Sequence, residues 1–276
     1  MKRILITVAL VVCVVSSATN SAAAQMPTPA AVSIARMECG TNAAPTDVGL
    51  RFSDTYAYSG LKVQLTFSCY VIKHGDDYMV WDTGNPAGTT ATAPKTSIVD
   101  LLAQSKITPA QVKFVGISHY HGDHVGQVST LPQSTLLIGK GDWDLLNDPK
   151  SAGVANPAPF ASWISGGGKV EPLAGDKDVF GDGTVIMLNT PGHTPGHHSL
   201  LVKLKDSGNV LITGDLAHFH ENYDAGGVPT FNTDRAATLA SLDRFKKIAA
   251  NMKATVVIQH DARDASKLAA FPAWTK

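Results

Sequence analysis

The sequence lacks the features that would assign it to a special structural class. It has only 17% charged residues and 3 cysteines in 276 residues, and its 23 lysines and arginines balance 23 aspartates and glutamates. A hydrophobic fraction of 44% argues against intrinsic disorder, and there is no periodic pattern for collagen or a coiled coil. The zero net charge gives no electrostatic footprint for nucleic acid. Histidine, with 10 copies, is the one unusual count.

The N-terminus has the pattern of a secretory signal peptide. Lys2 and Arg3 precede an apolar run over 4–15, which is too short for the roughly 20 residues that span a membrane. Small residues then lead to a cleavage site before Gln25. We therefore predict a signal peptide over 1–24, a single domain over 25–276, and a periplasmic or secreted protein without a stable membrane anchor. An uncleaved N-terminal anchor is the alternative.

Two cysteines, Cys39 and Cys69, remain after that cleavage. Each lies in or beside a strand-like run, and an oxidising compartment permits disulfides. The sequence leaves two alternatives open, a disulfide between them or two buried thiols.

Hydrophobic periodicity and turn residues predict a chain of many strands and few helices. Helices are expected over 97–105 and 234–252, a helical turn over 142–146, and a short helix at the C-terminus. Residues 148–168, which contain several prolines and glycines, are expected to form a long loop. The predicted strands cover residues 32–37, 62–73, 78–81, 112–117, 136–139, 169–173, 184–188, 199–204, 209–212 and 255–258.

The histidines concentrate in one short segment that contains His119, His121, Asp123 and His124. Three imidazoles and a carboxylate this close together fit neither one face of a helix nor one face of a strand. A tight turn after the 112–117 strand can instead direct all four side chains into one cleft. Nitrogen and carboxylate ligands suit Zn²⁺ and its first-row neighbours, and one Zn²⁺ takes about four ligands. The segment predicts a site for more than one metal once distant ligands join it.

Three such distant candidates follow other predicted strands. His193 lies in a turn between two prolines, Asp215 comes directly after a buried strand, and His260 follows the last strand. Loops at strand ends often converge on one site in a sheet-based fold. Any one of these residues alone would be read as part of an ordinary hydrogen-bonded turn, but all three in this order favour a metal centre.

These motifs resemble those of the metallo-β-lactamase superfamily, whose signature is His-x-His-x-Asp-His followed by distant His, Asp and His. The resemblance runs from Asp82-Thr83-Gly84 to His260 and implies an α/β fold, the αββα sandwich of this superfamily, with a dinuclear metal site at the edge of its two sheets. It also implies that Asp82 lies behind the ligands. By position, it assigns His119, His121 and His193 to one metal, Asp123, His124 and His260 to the other, and Asp215 to both.

Within this superfamily the chain is most similar to the N-acyl-homoserine lactone lactonases. The likeness lies in residues 190–197, in Glu221-Asn222-Tyr223 and around His260. Many of these lactonases have a tyrosine that touches the substrate carbonyl three residues after the bridging aspartate, and here that residue is His218. We expect His218 either to replace the tyrosine or to be a solvent-facing loop residue.

The resemblance implies a secreted metal-dependent hydrolase that opens the lactone ring of N-acyl-homoserine lactones, an activity known as quorum quenching. Two divalent metal ions are expected, with Zn²⁺ favoured over Co, Mn or Fe, and a hydroxide held between them would attack the carbonyl. Asp123 would accept and return a proton, and His218 would stabilise the oxyanion. The expected partner is a small-molecule lactone, and a homodimer is left open.

Four other functions are considered. An organophosphate triester hydrolase of the same fold fits the signal peptide and all seven ligands, and is the first alternative. Hydroxyacylglutathione hydrolase resembles the chain less after Asp215, and metallo-β-lactamases that act on β-lactams usually lack an aspartate there. A non-catalytic periplasmic metal-binding protein is disfavoured because the whole ligand set and Asp123 are kept.

Less specific expectations concern the remaining histidines and the aromatic residues. His197 is expected to support the ligand turn, and His74 and His220 are expected at the surface. Five residues are candidates for an acyl pocket, with the hydrophobic core as the alternative location: Met37, Phe67, Phe160, Trp163 and Phe219.

Overall fold

Runs of β-branched and aliphatic residues build the first of two main β-sheets. The structure is a computed structural model that describes residues 30–88 and 90–276, so the predicted signal peptide lies outside the described residues. The first sheet has the order β1-β4-β5-β6-β7-β8. Its strands are β1 (Val32–Thr41), β4 (Thr66–His74), β5 (Asp77–Trp81), β6 (Val112–Gly116), β7 (Thr135–Gly139) and β8 (Val170–Leu173), and a separate short pair joins β2 (Thr46–Asp47) to β3 (Lys62–Val63).

The second sheet has the order β13-β12-β11-β10-β9. In this sheet β13 pairs in parallel with β12, whereas all other neighbouring strands pair antiparallel. Its strands are β9 (Lys177–Asp178), β10 (Val185–Asn189), β11 (His198–Leu204), β12 (Gly208–Ile212) and β13 (Thr255–Val257).

Among the described residues, six α-helices connect these strands or cover the sheets, and most are short. They are α1 (Ile98–Gln104), α2 (Gly122–Val125), α3 (Lys140–Asn147), α4 (Ala161–Ile164), α5 (His220–Ala225) and α6 (Arg235–Met252). The longest, α6, begins where the Asp234 side chain accepts a hydrogen bond from the Ala237 amide, and it ends at Lys253 in the left-handed conformation. No helix among the described residues is long and apolar enough to cross a membrane.

The two faces of each sheet pack against different partners, because side chains alternate along a strand. Ile72 of β4 belongs to the core between the sheets, together with Val202 of β11. Its neighbour Val71 faces the other way, toward Leu102 of α1. On the outer face of the second sheet, residues of β10, β11 and β12 pack against α6. The layers are therefore helix, sheet, sheet and helix, and the expected αββα sandwich is confirmed.

Most predicted strands occur within one or two residues of their expected bounds, but the strand over 62–73 is wrong. It is two strands, β3 and β4, which pair with different neighbours. Between them Leu65 forms an isolated bridge with Asp261, and the Thr66 amide donates to the His260 carbonyl. The side-chain pattern is continuous through this point, so only the change of pairing partner reveals the break.

The predicted C-terminal helix is also wrong. Residues 262–264 form a 3₁₀ turn, and the following segment pairs with the outer edge of β1. The amides of Ile34 and Arg36 donate to the carbonyls of Thr275 and Ala269 at 2.9 Å. The backbone groups of an edge strand need partners, and this segment supplies them.

The expected long loop over 148–168 contains more structure than predicted. It includes 3₁₀ turns at Pro149–Ser151 and Ala158–Phe160, followed by α4. Phe160 and Trp163 are buried in the core beneath the first sheet, and this burial anchors the segment. Both residues therefore lie in the hydrophobic core, the alternative location, and not in an acyl pocket.

The open question about the two cysteines is resolved by the fold. Cys39 and Cys69 form a disulfide between the neighbouring strands β1 and β4, with their Cα atoms 5.8 Å apart. Both residues are fully buried.

Candidate metal centre

The histidine and aspartate motifs meet at one edge of the sandwich. Residues 118–124 follow β6 of the first sheet and form the start of α2. His193, Asp215 and His260 follow β10, β12 and β13 of the second sheet. Five of these seven predicted ligands are buried, and His121 and Asp123 are partly exposed, Asp123 with 31% of its side chain.

We call the group of His119, His121 and His193 the first pocket. The Nε2 atom of His119 lies 2.9 Å from Nδ1 of His121 and 3.2 Å from Nε2 of His193. The third separation, from His193 Nε2 to His121 Nδ1, is 3.0 Å. Three imidazole nitrogens thus point at a common centre.

The second pocket consists of Asp123, His124 and His260. The Nε2 atoms of His124 and His260 are 3.1 Å apart. The Oδ2 atom of Asp123 lies 3.8 Å from each of them. This pocket has one imidazole fewer than the first and a carboxylate in its place.

Asp215 lies between the two pockets and faces both. Its Oδ2 atom is 3.3 Å from His193 Nε2 and 3.7 Å from His119 Nε2 in the first pocket. Its Oδ1 atom is 2.8 Å from His260 Nε2 and 3.0 Å from His124 Nε2 in the second. Each carboxylate oxygen therefore serves one pocket, as a bridging ligand would.

The residues fit metal ions. Nitrogens about 2.0–2.1 Å from one tetrahedral Zn²⁺ lie roughly 3.4 Å apart, close to the separations in the first pocket. Asp215 Oδ1 is buried and accepts no hydrogen bond from the described residues, although two imidazoles lie close to it. Burial also holds the pKa of His119 and His193 well below the ordinary value, which keeps them in the neutral form that binds metals.

The second pocket differs in its protonation. Burial by itself would lower the pKa of His124 and His260. The negative charges of Asp215 and Asp123 favour the protonated imidazoles more strongly, so the pKa of each histidine is raised above its ordinary value. A metal ion in this pocket would take the place of those protons, because ligand nitrogens must be deprotonated to bind.

Three of the ring nitrogens that face away from the pockets have partners of their own. His193 Nδ1 donates to Asn232 Oδ1 at 2.8 Å, and His260 Nδ1 donates to the Thr66 carbonyl at 2.9 Å. His124 Nδ1 donates to Asp82 Oδ2 at 2.9 Å. Such bonds fix the ring orientation and leave the other nitrogen free for a metal.

Asp82 is buried behind the second pocket, as the resemblance implied, and it accepts several hydrogen bonds there. Besides His124, it accepts hydrogen bonds from the Ser118 amide at 2.7 Å and from the Gln259 side chain at 2.7 Å. Its own backbone is left-handed, with φ of 53°, which is uncommon for a residue other than glycine and costs free energy. The neighbouring Gly84 packs on the disulfide, so a Cβ there would lie 2.2 Å from Cys39 Cβ.

His197 supports the ligands without joining them, as expected. Its Nδ1 donates to the Thr190 carbonyl at 3.0 Å, and its Nε2 accepts a hydrogen bond from the Asp215 amide at 2.9 Å. Burial lowers the pKa of His197 to about 3, so the ring remains neutral and can accept that bond.

The surface location predicted for two histidines holds only in part. The side chain of His220 is 36% exposed and contacts Asp264. His74 is not a surface residue, since only 13% of its side chain is exposed and it binds Asp182 at 2.7 Å. Its ring stacks on Phe180, which lies between β9 and β10, with centroids 4.0 Å apart, and no sequence pattern indicated this contact.

His218 lies inside the site, so it is not a solvent-facing loop residue. The residue is 3% exposed, and its Nε2 is 3.0 Å from Asp215 Oδ2. Its ring packs edge-on against Phe52, with centroids 5.0 Å apart. Neither ring nitrogen forms a hydrogen bond with the described residues, although Nε2 lies beside Asp215 Oδ2.

A cavity of about 460 Å³ opens over the two pockets. His218, Asp123 and Asp215 lie at its base. Of the five acyl-pocket candidates only Phe67 lines it; Met37 and Phe219 are buried in hydrophobic clusters, as Phe160 and Trp163 are. The other walls come from residues that the sequence did not single out, namely Phe52, Leu65, Phe231, Arg51, Asn42 and Thr46.

Several residues of the site had no recognisable signal in the sequence. Asn232 precedes α6 and reaches His193 from a different part of the chain. Phe52 and Phe231 come from irregular segments on either side of His218.

The fold and site define the class of protein. The family model described as "Metallo-beta-lactamase superfamily" matches residues 67–260, which contain all seven predicted ligands. The chain therefore belongs to the metallo-β-lactamase superfamily, and that expectation is confirmed.

More particular likenesses come from curated relatives. The chain is 28% identical over 235 residues to the N-acyl homoserine lactonase AttM of Rhizobium radiobacter, covering 74% of this chain and 84% of the relative. It is 27% identical over 230 residues to an N-acyl homoserine lactonase of Bacillus cereus, covering 77% and 88%. With the superfamily match, these relatives class the chain as a metal-dependent hydrolase, as predicted.

A solved structure agrees at the level of the fold. The crystal structure of a quorum-quenching N-acyl homoserine lactone lactonase superposes with a TM-score of 0.73 at 22% sequence identity. The likeness covers 90% of this chain and 100% of the lactonase, so the shared architecture includes every layer of the sandwich.

Proposed function

We propose that this protein opens the lactone ring of N-acyl-homoserine lactones at a dinuclear metal centre. The observation that carries the proposal is the position of Asp215, which turns one oxygen toward each of two pockets at the base of a cavity with partly apolar walls. The names of the curated relatives supply the substrate class.

The metal ligands in this proposal are those of the two pockets. His119, His121 and His193 would hold one ion, Asp123, His124 and His260 the other, and Asp215 both. Zn²⁺ is the preferred ion because the donors are nitrogen and carboxylate oxygen, with Co, Mn and Fe as alternatives. When bound, two such ions polarise a carbonyl and lower the pKa of a bound water toward neutrality.

Asp123 is suited to carry a proton during ring opening. Its Oδ2 atom reaches the second pocket, yet its side chain is partly exposed and lines the cavity. It can accept the proton of the attacking water and return it to the ring oxygen, which leaves as an alcohol. A fully buried carboxylate would have no route by which to exchange that proton with solvent.

His218 is positioned to stabilise the oxyanion. An N–H of its ring can donate to the carbonyl oxygen where negative charge develops, since neither ring nitrogen forms a hydrogen bond with the described residues. Phe52 and Phe231 pack against the ring at 5.0 and 5.8 Å between centroids. This packing fixes the ring orientation before substrate arrives.

The acyl chain would lie along the apolar walls of the cavity. Phe52, Leu65, Phe67 and Phe231 provide this surface, and Arg51 lies over the ring of Phe231 at 4.8 Å. Burying an alkyl chain there gives about 0.8 kcal/mol per methylene group, which favours acylated lactones over the bare ring.

We also propose that the protein works outside the cytoplasm, in the periplasm or after secretion. The signal-like pattern over 1–24 supports this location, and so does a disulfide, which persists in oxidising compartments. Edman sequencing of the protein recovered from the periplasm should begin at Gln25. A chain that retains Met1, or that stays in the cytoplasm, would contradict it.

The substrate proposal is tested by a panel of esters. The metal-loaded protein should hydrolyse homoserine lactones of increasing acyl length with kcat/KM well above that for a β-lactam, a phosphotriester and a glutathione thioester. Faster turnover of the phosphotriester would favour an organophosphate hydrolase. No metal-dependent turnover of any ester would favour a non-catalytic metal-binding protein.

The role of His218 is tested by His218→Phe, which keeps an aromatic ring but removes the donor. We expect kcat to fall about 100- to 1,000-fold, with little change in KM, because an oxyanion contact acts mainly in the transition state. His220→Gln, two residues away and outside the cavity, is the matched control. Unchanged kcat in His218→Phe would contradict the role.

A further inference from the structure

Asp142 is a fully buried carboxylate that the proposed chemistry does not use. It lies in the first turn of α3 and points toward the back of the first pocket. Its Oδ1 atom accepts a hydrogen bond from the Gly196 amide at 2.7 Å. Its Oδ2 atom accepts from the Thr194 hydroxyl at 2.9 Å and from the Tyr120 amide at 3.2 Å.

These three donors belong to the two loops that carry the first pocket. Tyr120 is the residue between His119 and His121, whereas Thr194 directly follows His193. The loops extend from different sheets, since one follows β6 and the other follows β10. One carboxylate therefore fixes the relative position of all three imidazoles without touching any of them.

Glycines bring α3 into direct backbone contact with the second of these loops. A Cβ at Gly139 would lie 1.8 Å from the Gly196 carbonyl oxygen, and one at Gly141 would lie 2.7 Å from the Pro195 carbonyl carbon. A Cβ at Gly196 would lie 2.5 Å from the Asp142 amide. Because the backbones are this close, the Asp142 side chain has few other hydrogen-bond partners within reach.

The burial of Asp142 is costly. All three of its hydrogen-bond donors are neutral, and burial raises the pKa of this carboxyl to about 7 in spite of them. Transferring a carboxylate away from water without a cationic partner costs free energy. A residue that served packing alone would avoid this cost with an apolar side chain.

We propose that Asp142 is a positioning residue for the first pocket, and that it sets the separation of the His119–His121 loop from the His193 loop. It is the counterpart of Asp82 behind the second pocket. The inference rests on the metal-binding role proposed for the two pockets, but not on the choice of lactone as substrate.

The experiment compares Asp142→Ala with Asp144→Ala, an exposed residue of the same helix that pairs with Lys140. Metal-free protein is titrated with Co²⁺, and binding to each pocket is followed by visible absorption. His121→Ala and His260→Ala serve as references that identify the bands of the first and second pockets.

Asp142→Ala should weaken Co²⁺ binding at the first pocket about 10- to 100-fold and leave the second pocket within twofold of the parent. Asp144→Ala should bind like the parent protein. Equal loss at both pockets, or no loss at either, would overturn the proposal.

If Asp142→Ala does not fold, judged by circular dichroism, Thr194→Val provides the same test. This variant removes one donor and keeps the carboxylate, so a smaller loss confined to the first pocket is expected. The titration needs no substrate, so it gives its answer even if the protein hydrolyses no lactone. Failure of the substrate panel and failure of this inference are thereby separate results.

Discussion

The two pockets share Asp215, but they are held in place by different means. Behind the second pocket, Asp82 binds the imidazole of His124 directly, through a carboxylate at 2.9 Å. Behind the first, His193 donates to the neutral amide of Asn232, while the buried carboxylate of Asp142 contacts only backbone amides and a hydroxyl.

This difference separates two functions that a supporting residue can have. A carboxylate on the distal nitrogen of an imidazole fixes the ring and also raises its basicity as a ligand. An amide fixes the ring with little change in basicity, and a carboxylate on the loop backbone affects position alone. We therefore expect electronic support in the second pocket and mainly geometric support in the first.

The largest effect is expected from Asp215→Ala, which removes the group common to both pockets. Bound metal should fall from two ions toward one per chain. Activity should drop by more than the roughly 100-fold that loss of an outer partner costs, because a ligand itself is missing. Metal analysis together with lactone hydrolysis measures both. Retention of two metals at full rate would refute a bridging role.

A smaller effect, confined to the second pocket, is expected from Asp82→Asn. Asparagine tolerates the left-handed backbone of this position, so the turn should survive. Its amide cannot accept hydrogen bonds from all three donors that Asp82 binds, and it carries no charge.

Metal affinity at the second pocket should therefore fall about 10- to 100-fold, measured by competition with a chelator. Asp76→Asn, an exposed aspartate in the turn at the other end of β5, is the control. An equal loss of metal affinity at the first pocket would show that Asp82 does not support the second pocket alone.

The smallest effect is expected from Asn232→Asp. It gives His193 of the first pocket a carboxylate partner, as His124 of the second pocket already has in Asp82. The carboxylate should raise the basicity of His193 and tighten metal binding at the first pocket by a few-fold. Calorimetric titration of the metal-free protein measures the change. Weaker binding would mean that the Asn232 side-chain bond to Thr238, 3.0 Å long, matters more than ring basicity.

The ligand motifs could be read from the chain because each ligand follows a strand. The segment from His119 to His124 is dense enough in imidazoles to exclude a regular helix or strand, and Asp82 was implied by resemblance. Asp142 and Asn232 were not recognised, since one looked like the start of an ordinary helical turn and the other like a loop residue. Their roles depend on which loops lie across from them, and this is a property of the folded chain.

The walls of the cavity were predicted less well than its base. Of five aromatic or methionine candidates, only Phe67 lines it, and hydrophobicity alone does not distinguish a core residue from a pocket residue. For His218, too, the sequence pattern did not distinguish a buried location from an exposed one. Its place in the chain suggested two environments, and the packing of Phe52 against its ring decided for the buried one.

The sequence by itself determined most strands and the metal-binding chemistry, because these depend on local periodicity and on the spacing of side chains along the chain. The αββα class followed from the resemblance of its motifs to those of a known superfamily. The tertiary structure decided where β3 ends and β4 begins, what covers the edge of β1, which aromatic residues face the cavity, and which aspartate supports which pocket. Each of these depends on contacts between residues far apart in sequence, and local side-chain patterns contain no record of such contacts.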